Sequence, residues 1–178
     1  PTIMDRLIQQ CVLQVMEPIC EAKFHERNNG FRPCRSAEHA IAQVYKFVQR
    51  SGLRFVVDID IKGFFDNVQH GKLLKQLWQM GIRDKTLLSI LSAMLKAEVA
   101  EIGFPERGTP QGGIISPLLA NVVLNELDWW VSSQWETMPT HHQYAATIAP
   151  NGTASRGKTY RALQSTQLKE CWIVRYAD

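Results

Sequence analysis

Nowhere in the chain does a run approach eighteen consecutive apolar residues, so no segment reads as a membrane-spanning helix. The start has no basic-then-apolar pattern of a signal peptide. The four cysteines, Cys11, Cys20, Cys34 and Cys171, include no C-x-x-C pair, and no histidine pair stands at zinc-finger distance. They read as reduced thiols of a cytosolic protein. His141-His142 has no further ligand at coordinating spacing and reads as loop. Internal repeats and low-complexity tracts are absent too. With 45% hydrophobic and 21% charged residues, the chain has the composition of an ordinary globular protein. Its 178 residues allow one compact domain or two small ones. A net charge of +3 is mild but uneven. Between Glu21 and Arg54, seven basic residues (Lys23, Arg27, Arg32, Arg35, Lys46, Arg50, Arg54) face three acids. Such a local excess suits a polyanionic partner, a solvated face being the plainer reading.

What is present alternates helical stretches with strand-like ones. Ile8, Val12, Val15 and Ile19 fall at helical spacing over residues 5–20, with Pro18 expected to kink or end that helix. Arg27-Asn28-Asn29-Gly30 reads as a turn, and Phe31 to Arg35 as an extended basic stretch. Ser36 is placed to cap a second helix carrying Ala37, Ala40, Ile41, Val44 and Phe47/Val48, which Gly52 ends. Gly71 to Met80 reads as a helix stopped by Gly81; Asp84 caps the next, carrying Leu87, Leu88, Leu91, Met94 and Leu95. A short strand or hairpin, Val99 to Phe104, precedes the glycine- and proline-rich run 105–113. Ser116-Pro117 then starts a long helix with Leu119, Val122, Val123, Glu126 and Trp130 on one face. Residues 133–170 form a basic insertion with Arg156, Lys158, Arg161 and Lys169, in which Asn151-Gly152-Thr153 reads as a turn. Cys171 to Asp178 closes the sequence as a strand ending in an acid.

The stretch that organises the rest is FVVDIDIKGFFDNVQH, residues 55–70. Alternation puts Phe55, Val57, Ile59 and Ile61 on one face of a strand and Val56, Asp58 and Asp60 on the other. Buried ionised carboxylates cost several kcal/mol unless compensated, often by a metal ion. A calcium loop fails, because Lys62 and Gln69 occupy the fifth and twelfth ligand positions. If the strands ending at Asp60 and Asp178 were neighbours, their acids would converge at one sheet edge. That arrangement suits Mg²⁺-dependent phosphoryl transfer. The fold class expected is α+β, an antiparallel sheet backed by helices.

These stretches together resemble a family. FVVDIDIKGFFDNVQH resembles motif A of the reverse transcriptases encoded by bacterial group II introns, RGTPQGGIISPLLANVVLNELDWW resembles motif B, and VRYAD resembles the start of motif C, normally YADD. PTIMDRLIQQ and NNGFRPCRSAEHAI resemble two finger-region motifs. Five motifs in order cover nearly the whole chain.

The resemblance implies a right-hand polymerase with fingers at 1–52 and a ferredoxin-like palm at 53–178. It implies an RNA-directed DNA polymerase that adds dNTPs to a DNA or RNA primer on an RNA template, using two Mg²⁺ ions. Asp60 and Asp178 then take the catalytic carboxylate positions, with the Ile61 carbonyl as a further metal ligand and Asp58 as a supporting acid. Phe65 takes the steric-gate position under the nucleotide sugar, with Phe64 as fallback. Pro110, Gln111 and Gly112 match the loop on the incoming nucleotide. Arg6 falls among triphosphate-contacting residues, and Arg32 and Arg35 among template-contacting ones; a salt-bridged role is the alternative for each. Intron RNA is an implied second partner, the location implied is the bacterial cytoplasm, and a homodimer is left open. Two departures stand out. The second Asp of YADD does not follow Asp178, and the finger hairpin expected before Pro1 is missing. With no initiator Met, the sequence reads as part of something longer and is expected to be inactive alone. The rival readings are a retron-type or other template-copying polymerase and a non-catalytic RNA-binding maturase scaffold.

Overall fold

The computed structural model describes residues 2–98, 103–109, 112–150, 152 and 154–177. It is mainly helical: α1 (Ile3–Glu21), α2 (Ala37–Arg50), α3 (Phe64–Asn67), α4 (His70–Gln79), α5 (Lys85–Leu95), α6 (Ser116–Ser133) and α7 (Gly157–Gln164). Two short strands, β1 (Thr147–Ile148) and β2 (Ala154–Ser155), pair antiparallel with Thr147 opposite Ser155. The chain divides into two compact units, residues 1–126 with 174–178 and residues 127–173.

In the first unit, α1 begins with a capping box. The Thr2 hydroxyl accepts the Asp5 amide, and the Asp5 carboxylate accepts the Thr2 amide at 2.7 Å. Val12, Met16 and Cys20 bury one stripe of this helix. They join Phe64 and Val68, Leu73 and Leu77 of α4, Leu91 and Leu95 of α5, and Leu118, Leu119 and Val122 of α6 in one apolar core. Pro18 does not end α1, which runs on to Glu21. So near the C-terminus, the missing proline N–H affects only one helical bond. Asp84 caps α5 as expected, its Oδ1 accepting the amides of Thr86 and Leu87. Ser36 stands at the N-cap of α2, but its hydroxyl lies 3.2 Å from His39 Nδ1 and makes no cap bond. Of that helix's expected apolar face, only Ala40 and Phe47 are buried. Gly52, at φ 65°, follows the helix in the left-handed conformation that a C-terminal glycine supplies.

Two sequence expectations need correcting. Residues 31–35 are not extended: Phe31 and Cys34 take positive φ, 52° and 57°, and the segment curls in turns. The Arg32 side chain explains this, because it reaches back to backbone carbonyls of residues it follows. The antiparallel sheet expected through residues 55–61 and 171–178 is not formed as a ladder among the described residues. Phe55, Val57 and Ile59 are instead 95%, 82% and 70% exposed. A single strand satisfies neither its backbone groups nor its apolar face without neighbours. The expected strand at 99–104 lies largely outside the described residues.

In the second unit, Trp135 and Leu163 are buried, and Tyr160 and Trp172 meet edge to face at 5.2 Å. The β1–β2 hairpin and α7 occupy part of the expected basic insertion, and the Gly152 amide donates to Ala149 O across the hairpin turn.

Candidate active site

The site is built where the end of motif A meets the glycine loop of motif B. Gly63 adopts the left-handed conformation at φ 62°, turning the chain from Ile61 into α3. The Ile61 carbonyl accepts the Phe64 amide at 3.2 Å, and Asn67 Nδ2 donates to Gly63 O at 2.8 Å. This turn sends the two adjacent rings to different places. Phe64 is buried in the core, whereas Phe65 is part-open and stands edge-on to Phe31, centroids 6.4 Å apart.

The glycine loop docks directly on this turn. The Gly108 amide donates to Val68 O at 2.7 Å and the Thr109 amide to Phe65 O at 2.8 Å. A β-carbon at Gly108 would come within 3.1 Å of Asp66 O, and its φ of 93° is one that L residues rarely adopt. His70 adds a buried bond, its Nε2 lying 2.7 Å from Gly108 O. A carbonyl only accepts, so Nε2 carries the proton; Nδ1 has no hydrogen-bond partner among the described residues. On the far side of the loop, the Gln9 side chain of α1 accepts the Ile114 amide at 2.7 Å.

The predicted site residues fall as follows. Asp58 and Asp60 are exposed on the segment before Gly63, and Ile61 is half-buried against the core. Gly112, at φ 72°, is exposed. Pro110, Gln111 and Asp178 lie outside the described residues. Arg6 is exposed on α1. Arg32 turns inward: Nε and Nη2 grip Glu21, at 2.9 and 2.8 Å, and Nη1 donates to His25 O and Asn28 O at 2.9 Å. Its side chain is 7% exposed and lies over the Phe24 ring. Four of its five N–H donors are therefore satisfied by the chain itself, where the resemblance implied a template contact. Arg35 Nη1 donates to Glu26 O and Asn29 Oδ1, at 3.0 and 3.3 Å.

Among the described residues no three His, Cys, Asp or Glu side chains gather as a metal site. The Asp60 carboxylate and Ile61 carbonyl are hard oxygen donors of the kind Mg²⁺ takes. The carbonyl keeps a second lone pair beyond its bond to Phe64 N–H, so the donor chemistry fits that ion.

Sequence reasoning missed two polar residues of α6, Asn121, which is buried, and Asn125, which is half-buried. Asn121 Nδ2 donates to Gly30 O at 2.8 Å, and Asn125 Oδ1 accepts the His25 amide at 3.0 Å. An asparagine pair at i, i+4 among the apolar residues of 117–124 and the turn after them was the available signal, since a polar residue withdrawn from water needs a partner.

Comparisons with known proteins identify the family. The sequence profile of the family described as reverse transcriptase (RNA-dependent DNA polymerase) matches residues 1–178. Protein YkfC of Escherichia coli K12 is 34% identical over 191 aligned positions, covering 100% of this chain and 48% of YkfC. The group II intron-encoded protein LtrA of Lactococcus lactis is 41% identical over 134 positions, 74% of this chain and 22% of LtrA. Nuclear intron maturase 2 of Arabidopsis thaliana is 28% identical over 173 positions, 73% of this chain and 23% of that protein. The chain thus spans less than half the length of these relatives. Among the described residues no helix is long and apolar enough to cross a membrane. With its motifs in order and the profile matched from end to end, the chain belongs to the reverse transcriptase (RNA-dependent DNA polymerase) family.

Proposed function

We propose that the protein containing this chain is a group II intron-type reverse transcriptase. In this reading residues 1–52 belong to the fingers and 53–178 to the palm of a right-hand polymerase. The observation that carries it is the docking of the glycine loop on the motif A turn, through Gly108 and Thr109 amides and the Val68 and Phe65 carbonyls. This contact seats Gly108 and Thr109 against the backbone of Phe65 and Val68, and supports reading the loop they enter as the one that holds the nucleotide. The primer 3′-oxygen attacks the α-phosphate of a dNTP in line, a P–O bond forms, and pyrophosphate leaves with the electrons of the broken bond.

The chain's own groups bind and orient. In this reading Phe65 is the ring that excludes a nucleotide 2′-hydroxyl, and Pro110, Gln111 and Gly112 belong to the loop that packs on the nucleotide. In this reading Arg6 contacts the triphosphate and Arg35 the template, while Arg32 holds the turn between α1 and α2. Asp60, Asp178 and the Ile61 carbonyl would hold two Mg²⁺ ions, which when bound supply charge stabilisation to the attacking oxygen and the triphosphate. Positioning and preorganised charge account for most of the acceleration in such transfers. RNA is the template, and intron RNA the second partner by analogy with the named relatives.

Primer extension on an RNA template with Mg²⁺ tests the reading, using the full-length protein beside Asp60→Ala. Extension dependent on dNTPs and abolished in the variant is expected. Extension that survives in Asp60→Ala refutes the assignment. Salt-sensitive RNA binding with no extension from either protein favours the scaffold reading.

A further inference from the structure

Three sequence-distant segments meet in one buried polar cluster. Asn28 lies in the turn after α1, Asn121 in the middle of α6, and Arg175 in the segment that leads to Asp178. Asn121 Oδ1 accepts both Asn28 Nδ2 and Arg175 Nη1, each at 3.0 Å. Arg175 Nη1 also donates to Ala177 O at 2.6 Å, folding the guanidinium back over its own chain. The backbone is held as well. Arg175 N donates to Arg27 O at 3.0 Å, and Asn29 N donates to Arg175 O at 2.8 Å, a one-residue parallel bridge. Gly30 completes the enclosure, its amide donating to Asn28 Oδ1 and its carbonyl accepting Asn121 Nδ2.

Space is as tightly set as the hydrogen bonds. A β-carbon on Gly30 would fall 2.1 Å from the Ala177 amide nitrogen and 2.7 Å from its Cα, so only glycine fits. Ala177 itself sits at φ 66°, a left-handed conformation that a non-glycine residue holds only when its surroundings impose it. Asn28, Asn121 and Arg175 are all buried. A cluster this far from solvent, ending in a strained residue, does more than join helices. It holds the backbone as far as Ala177.

We propose that Asn121 and Arg175 are positioning residues that, with Gly30, fix the backbone through Ala177 and thereby support metal binding by the acid that follows it in the sequence, Asp178. The proposal rests on the polymerase reading, in which Asp178 is a metal-holding acid. Outer partners that orient ligands commonly control metal affinity or activity by about 10- to 100-fold. Arg175→Met removes the side-chain bonds to Asn121 and Ala177 while keeping length and burial. Arg175→Lys keeps the charge and a donor group, though not the planar fork, and is expected to recover part of the loss. Gly30→Ala removes no polar side chain and acts by steric pressure on the backbone of Tyr176 and Ala177.

The test uses the full-length protein and four readouts: thermal melting, template–primer affinity, free-Mn²⁺ titration by electron paramagnetic resonance, and extension kinetics. In folded Arg175→Met and Gly30→Ala, Mn²⁺ affinity and kcat are expected to drop about tenfold or more with template–primer affinity kept. Wild-type Mn²⁺ affinity in a folded Arg175→Met or Gly30→Ala protein overturns the proposal, whatever the rate does. Melting of both variants below assay temperature also overturns it, because the cluster is then only structural. Failure of the underlying reading looks different: the wild type itself does not extend, and the positioning role falls with it.

Discussion

Gln9 and Ile114 lie 105 residues apart in sequence, yet the Gln9 side-chain oxygen accepts the Ile114 amide at 2.7 Å. Gln9 is buried on α1, and Ile114 is in the loop just before α6. Replacing Gln9 by Leu keeps the volume and leaves the Ile114 N–H without this acceptor. A buried donor left unmade costs about 1–3 kcal/mol. The expected outcome in urea unfolding is a loss of that size with an unchanged m-value. Amide exchange at Ile114 should accelerate more than exchange in α4, because the loop loosens locally before the core opens.

How much of this was readable from the residues alone varies by kind of interaction. Helix starts and stops were legible where one residue determines them, as at Asp84 before α5 and Gly52 after α2. The order of the motifs was legible too, and with it the family. Long-range polar pairing was not. Gln9, His70, Asn121 and Asn125 look in sequence like any polar residues on a helix, and only the fold reveals that each answers a distant backbone group. Arg32 is the converse case, for which the sequence left a salt-bridged role as the alternative. A basic residue in a basic stretch reads as a nucleic-acid contact, whereas here the carboxylate of Glu21 and two carbonyls consume its donors. The extended segment 55–61 failed as a strand because alternation specifies a face and says nothing about which strand covers it.

Arg32 separates structural from template-contacting basic residues. Removing one partner of a buried pair strands the other, at about 3–5 kcal/mol when both are fully enclosed. Glu21 is one-fifth exposed, so about 3 kcal/mol is expected for Arg32→Ala. Arg32→Lys should also destabilise, since an ammonium cannot repeat the fork to Glu21 and the two carbonyls. The salt dependence of RNA binding should keep its slope in folded Arg32→Lys. A slope reduced by about one phosphate contact would place Arg32 on the nucleic acid after all.

Phe64 and Phe65 are neighbours with opposite expectations. Phe64 packs among core residues, and Phe64→Ala should cost about 3–5 kcal/mol by leaving a cavity. Phe65 is part-open, so Phe65→Val should cost about 1–2 kcal/mol, because less apolar area is returned to water. If Phe65 is the ring beneath the sugar, Phe65→Val admits ribonucleotides while dNTP use is largely kept. Competition between dATP and ATP in single-nucleotide extension measures this. Unchanged discrimination in the variant removes Phe65 from the gate.

The thiols give a prediction about pH. All four cysteines are free: Cys11 and Cys34 exposed, Cys171 half-buried, Cys20 enclosed in the core. Burial, with a smaller contribution from Glu21, pushes the Cys20 thiol up to about 12. Burial also raises Cys171. A thiol reagent at pH 8 should therefore label Cys11 and Cys34 first, Cys171 more slowly, and Cys20 only on unfolding. The sign for stability follows from the same shift. In the unfolded chain Cys20 ionises near pH 9, and in the folded protein it stays neutral to about 12. Its contribution is complete below pH 9 and is lost as pH rises from there, by about 1 kcal/mol per unit. Replacing Cys20 by Ala costs some packing at neutral pH but removes this dependence. Unfolding curves at pH 8 and pH 10 should converge for wild type and Cys20→Ala; a gap that stays constant would mean that Cys20 ionises alike in both states.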